Sequence, residues 1–103
     1  MIIRGVNVFP SQIETVLLNE GYQPNYQIIV DRVNNTDTFD VNVEMNPEQF
    51  TDKVSDVLAM EKSLANAMKT MLGINPAVHL VVPKSIARSE GKAVRVIDKR
   101  KLV

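Results

Sequence analysis

Between Phe39 and Leu72 the apolar residues change period, and that change limits the chain to folds in which a half-wet strand leads into a long helix. Phe39, Val41, Val43 and Met45 alternate with Asp40, Asn42 and Glu44, which puts one set on a buried face and the other in water. Asn46-Pro47-Glu48 then reads as a helix start, with Asn46 as the cap and Pro47 at the first helical position, where its missing amide costs nothing. Phe50, Val54, Val57, Leu58, Leu64, Ala65, Met68, Met71 and Leu72 recur at three- and four-residue intervals until Gly73. The spacing predicts one long amphipathic helix. Four of the five methionines fall between Met45 and Met71, where filling an irregular core is the favoured role over lining a flexible groove.

The rest of the chain supplies partners for these two elements. Ile28-Ile29-Val30 is the continuous apolar centre of a strand from Tyr26 to Val33, as expected where both faces are covered. Asn34-Asn35-Thr36-Asp37 is turn chemistry and makes a hairpin of the two strands. Upstream, Ser11 and Glu14 have the spacing of a capping box for a short helix bearing Ile13, Val16 and Leu17 on one face and stopping at Gly21. Downstream, Val78, Leu80 and Val82 alternate with Ala77, His79 and Val81, and Pro83 closes this further strand. With the extended opening Ile2 to Phe9, bent at Gly5, the order is β-α-β-β-α-β. That is the ferredoxin-like pattern, an α+β domain whose mainly antiparallel sheet is packed by two helices. Lys84 to Lys92 has no period and reads as a loop, and Ala93 to Asp98 as a last short strand.

At 103 residues the chain is one domain, 1–103, too small to enclose a deep cavity. Its 45% hydrophobic and 23% charged residues fit a globular protein and not a disordered one. The absence of cysteine excludes disulfides, thiol catalysis and cysteine-based zinc sites. The single histidine, His79, removes multi-histidine metal sites and leaves no Ser-His-Asp set to assign; on the polar register of its strand it reads as exposed and structural. Asp52 and Asp56, one helical turn apart, read as a solvated pair. No apolar run approaches the ~20 residues that cross a bilayer, and no basic-then-apolar leader opens the chain, so a cytoplasmic setting without membrane contact is the expectation.

Net charge is zero but unevenly spread. From Lys84 onward seven basic residues stand against Glu90 and Asp98, an excess of +5, so the first 83 residues carry −5. The C-terminal edge therefore attracts anions, unless its last residues are only a fraying tail. Two places on the chain combine glycine with positive charge. Gly91-Lys92, flanked by Arg88 and Arg95, offers a backbone that approaches phosphate closely beside a compact cation. It lacks the longer glycine-rich turn of a phosphate loop. Arg4-Gly5, followed by Val6, is the second. Read singly, an ordinary surface turn and a hairpin bend account for them.

Read together they resemble a known family. Ile2-Ile3-Arg4-Gly5-Val6-Asn7-Val8-Phe9-Pro10-Ser11-Gln12-Ile13-Glu14 is similar to the opening of the C-terminal domain of phenylacetate-CoA ligases, in the adenylate-forming superfamily. Arg88-Ser89-Glu90-Gly91-Lys92-Ala93-Val94-Arg95-Val96-Ile97-Asp98-Lys99-Arg100 resembles the closing motif of the same family, with Ala87 and Ser89 where a proline and a threonine are usual. The resemblance implies a mobile lid. The whole enzyme joins a small aryl carboxylic acid to ATP with Mg2+, releasing pyrophosphate, and then passes the acyl group to coenzyme A. Most of the nucleotide and acid pocket would belong to an N-terminal ATP-binding domain, which is this chain's implied partner, and the domain alone would hold no cofactor and turn nothing over. By the same resemblance Lys92 is the catalytic lysine of the adenylation step, Arg88, Gly91 and Arg95 lie near the nucleotide, and Arg4, Gly5 and Val6 line the channel for the pantetheine arm of coenzyme A.

Other classes remain on the same residues. Ferredoxin-like folds also serve as regulatory modules that bind a small metabolite, and an exposed sheet edge would allow assembly, a homodimer included. RNA binding is disfavoured, because the five aromatic residues are not arranged as a base-stacking strand pair.

Overall fold

The hairpin around which the molecule is built begins at a turn where two consecutive asparagines take left-handed backbone angles, Asn34 at φ 51° and Asn35 at φ 63°. Such a turn matches the right-handed twist of the strands it joins. In the computed structural model, which describes residues 2–50, 53–85, 88–89, 92–93 and 96–100, these strands are β3 (Tyr26–Val33) and β4 (Thr36–Glu44). They pair antiparallel from Tyr26↔Val43 to Val33↔Thr36. The other elements are β1 (Ile2–Ile3), β2 (Val6–Asn7), α1 (Pro10–Asn19), α2 (Val54–Leu72), β5 (Ala77–Val81), β6 (Arg88–Ser89), β7 (Lys92–Ala93) and β8 (Val96–Asp98), with a short 3-10 turn at Pro47–Gln49.

The main sheet runs in the order β5-β4-β3-β8. The expected α+β class with two helices on one sheet is what the chain adopts, but the sheet is mixed and not mainly antiparallel. Strand β5 lies parallel to β4, with Val78 opposite Val41, and β8 lies parallel to β3, with Ile97 opposite Ile29. The opening segment does not enter this sheet. Its strands β1 and β2 pair with each other, Ile2↔Asn7 and Ile3↔Val6, as a separate ribbon. The place it would take in a ferredoxin-like sheet, between β4 and β5, is closed by the direct pairing of those two strands, while β8 adds to the β3 edge from the far end of the chain. The segment read as a loop also carries a ribbon, β6 with β7.

Alternation places Tyr26, Ile28 and Val30 of β3 and Phe39, Val41 and Val43 of β4 on one face, all buried. Ile13, Val16 and Leu17 of α1 and Leu64, Met68 and Leu72 of α2 join the same core, with Ile3 and Val8 from the opening ribbon and its exit. Ile29 is only half-buried, on the other face, so β3 is not covered on both sides as its apolar centre suggested. His79 shares that open face, its Nε2 lying 3.1 Å from Asp40 Oδ1, and it is exposed as its register suggested.

Both helices start differently from the expectation. The N-cap of α1 is Phe9, with Pro10 at the first helical position, because the locked φ of proline suits that place. The Phe9 amide donates to Gln12 Oε1 at 2.9 Å, and Ser11 falls inside the helix. Glu14 accepts a bond from the Tyr26 hydroxyl at 3.0 Å. Helix α2 begins at Val54 and not at Pro47. Asn46 does not cap it: its Nδ2 donates to Gly21 O at 2.8 Å and its Oδ1 accepts from the Gln23 amide at 3.3 Å, tying the exit of α1 to the end of β4. The far end is as expected, with Gly73 left-handed at φ 85°. Asp52 lies outside the described residues, and Asp56 sits in the first turn of α2.

Candidate functional site

The tip of the opening ribbon is a two-residue turn in which both positions have positive φ, Arg4 at 51° and Gly5 at 79°. Glycine reaches that region freely, whereas a residue with a Cβ pays about 1 kcal/mol or more. Arg4 is held there from outside the ribbon. Its backbone amide donates to Asp37 Oδ2 at 3.2 Å and its Nε donates to the Asp37 carbonyl at 3.0 Å. Below the tip, Ile3 is fully buried and Val6 packs partly buried against the core. A Cβ built at Gly5 would meet nothing within 4 Å, so the peptide at the tip is open to an approaching group. Arg4, Gly5 and Val6 are thus brought together in one hairpin.

Asp37 is the centre of a wider network that sequence reading missed. Its Oδ1 accepts from Arg32 Nε at 3.0 Å, directly across the hairpin, and its Oδ2 also accepts from Arg100 Nη1 at 3.2 Å. Arg100 grips Asp98 with two prongs, Nε to Oδ1 at 3.0 Å and Nη2 to Oδ2 at 2.8 Å, and donates to the Ile2 carbonyl at 2.7 Å. The Arg4 amide and the Arg32 fork hold the Asp37 carboxyl below the usual carboxylate range, and bonds from Arg100 do the same for Asp98. Arg100 itself is pushed up, chiefly by Asp98. A cleft of about 330 Å³ lined by Arg4, Arg32, Asn35, Thr36 and Asp37 lies beside the turn. The turn is only Asn34–Asn35, shorter than the four residues read as turn chemistry, and this puts Asp37 opposite Arg32 in the ladder. The Arg100 contacts were not legible, because Ile2 and Arg100 are 98 residues apart.

The second place is the β6–β7 ribbon, where Arg88 is opposite Ala93 and Ser89 opposite Lys92. Lys92 and Arg88 therefore stand on adjacent strands of one two-stranded sheet, separate from the ribbon of Arg4 and Gly5. Gly91 and Arg95 lie outside the described residues. The segment is anchored at both ends. On one side the Lys84 amide, at φ 63°, donates to Oε1 of the buried Glu44 at 2.9 Å. On the other, β8 pairs with β3 and the Lys99 amide donates to Val30 O at 2.7 Å. Arg100 is held here with its side chain 9% exposed, and the last residues, read as a possible fraying tail, lie outside the described residues. Among the described residues no three acidic or histidine side chains come together as a metal cage, and no helix is long and apolar enough to cross a membrane.

Comparison with known proteins fits both ribbons into one frame. A family model described as the AMP-binding enzyme C-terminal domain matches residues 5–100. The phenylacetate-coenzyme A ligase of Escherichia coli is 41% identical over 104 residues, covering all of this chain and 24% of that enzyme. The chain spans about a quarter of the length of the curated relatives it matches. Among solved structures, a domain of phenylacetate-coenzyme A ligase from Bacteroides vulgatus superposes with a TM-score of 0.87 at 33% identity, covering 100% of this chain and 94% of that one. A 2-hydroxyisobutyryl-CoA ligase, in complex with 2-HIB-AMP and CoA in the thioesterification state, matches with a TM-score of 0.85 at 32% identity, over 98% of this chain and 21% of that one. Matched from Gly5 at the turn to the Arg100 anchor, the chain belongs to the AMP-binding enzyme C-terminal domain family.

Proposed function

We propose that this chain is the catalytic lid of a phenylacetate-CoA ligase-like enzyme, acting with an N-terminal ATP-binding domain in the cytoplasm. In the first half-reaction a carboxylate oxygen of a small aryl acid attacks the α-phosphorus of ATP and pyrophosphate leaves. In the second, the thiol of coenzyme A attacks the acyl carbon of the adenylate and AMP leaves. Lys92 serves the first step: its ammonium stabilises charge growing on the attacking oxygen and the phosphate, a contribution of about 2.7 to 4 kcal/mol by analogy with one oxyanion donor. Arg88, Gly91 and Arg95 accompany it at the nucleotide. Gly5 serves the second, with Arg4 and Val6, as the wall along which the pantetheine arm passes.

The observation that carries this reading is the open left-handed turn at Gly5, which suits close passage of an extended ligand arm and stands in a chain alike over its whole length to CoA ligases. Magnesium is not assigned to this chain, since the described residues offer no acidic cluster to hold it, and no step here depends on it.

Separating the half-reactions in the whole ligase tests the roles. Lys92→Ala is expected to suppress adenylation, read as pyrophosphate exchange, by about 100-fold or more, while thioester formation from supplied acyl-adenylate persists. Gly5→Leu is expected to do the reverse. Equal losses in both half-reactions for Lys92→Ala, or normal thioester formation by Gly5→Leu, contradict the assignment.

A further inference from the structure

The ribbon that carries Gly5 is too small to hold its own shape. It has two residues per strand and is not paired with the main sheet, and a lone hairpin is marginal even when longer. Its turn also places a residue with a Cβ, Arg4, at positive φ, a conformation that persists only where surrounding contacts over-determine it. Three parts of the molecule supply those contacts. The buried side chain of Ile3 seats one strand in the core, Asp37 from the start of β4 holds the Arg4 amide and side chain, and Arg100 from the C-terminal end holds the Ile2 carbonyl.

The two charged anchors are joined to each other at 3.2 Å and are nearly closed off from solvent, at 11% exposure for Asp37 and 9% for Arg100. Arg100 is oriented in turn by the two-pronged bond to Asp98, and Asp37 by Arg32. The joined pair therefore holds the ribbon at two points, Arg100 at Ile2 and Asp37 at Arg4. We propose that Asp37 and Arg100 are positioning residues that hold the Arg4–Gly5 turn in the geometry required for thioester formation. This rests on the reading of that turn as the coenzyme A channel wall. Neither residue touches a reacting atom; each acts through the backbone of the turn, and displacing that backbone by an ångström is enough to misplace the thiol.

The test uses two variants, Asp37→Asn and Arg100→Lys, so that a folding failure in one leaves the other to decide. In the present chain, amide hydrogen exchange at Arg4 reports on the turn, and Asp37→Asn is expected to raise it. In the whole ligase, both variants are expected to slow thioester formation from supplied acyl-adenylate about 10- to 100-fold, with adenylation kept within about twofold. A merely structural role would lower both half-reactions together, and that result overturns the proposal. So does unchanged Arg4 exchange, or thioester formation left within about twofold. Gly5→Leu separates the two levels: if it too leaves thioester formation intact, the channel reading falls, whereas impairment by Gly5→Leu alone removes only the role of Asp37 and Arg100.

Discussion

Asp37 carries three obligations at once: a cross-strand partner for Arg32, an acceptor for the Arg4 amide, and a contact for Arg100. Each favours its ionised form, which is why its carboxyl titrates below the usual range. A carboxyl with a depressed folded-state pKa contributes stability that is fully present above its unfolded value, about 3.9, and is lost as the pH falls through the folded value. Asp98 behaves alike through Arg100. Melting temperature followed from pH 6 down through about pH 3 should therefore fall less steeply for Asp37→Asn than for the parent chain. Parallel curves would show that Asp37 is not among the groups behind acid destabilisation. Turn chemistry located the hairpin but put Asp37 within the turn, and nothing in the residues near position 37 signals a partner at position 100.

At the scale of elements, helix α2 divides into two halves that its regular apolar spacing does not distinguish. Leu64, Met68 and Leu72 are buried, whereas Val54 is 71% and Leu58 59% exposed. The C-terminal half rests on the core through these buried residues, whereas in the N-terminal half only Val57 and Met60 pack against it, half-buried, and Val54 and Leu58 face outward. Met68→Ala is expected to lower unfolding free energy by about 2 to 5 kcal/mol, through lost burial and the cavity left behind. Leu58→Ala should stay within about 0.5 kcal/mol, as for other exposed positions. Urea denaturation of the two variants checks this, and similar losses in both would refute the division. Periodicity located the helix and its glycine stop because those depend on local backbone preferences. It placed the start seven residues early, because the chain spends Asn46 on a bond to Gly21 and Pro47 on a short 3-10 turn.

For the molecule as a whole, the two ribbons set the limits of what it does alone. Beside Arg4, Met71, Arg32 and Met45 the surface has open clefts of about 330 to 500 Å³. Mixed with phenylacetate, ATP and coenzyme A, the chain is expected to form no thioester; turnover detected by a thiol-consumption assay would refute its role as a lid that works against a larger domain. The sequence by itself determined the helices, the central hairpin, the strand at Ala77–Val81 and the two glycine-bearing ends that mark the family, since period, turn chemistry and short motifs are written in neighbouring residues. Only the tertiary structure decided that the sheet is mixed, that the opening strand leaves it for a ribbon of its own, and that Asp37 and Arg100 lock that ribbon. Those outcomes depend on which distant segment pairs most favourably with a free sheet edge or an unpaired carbonyl, and no local pattern encodes that competition.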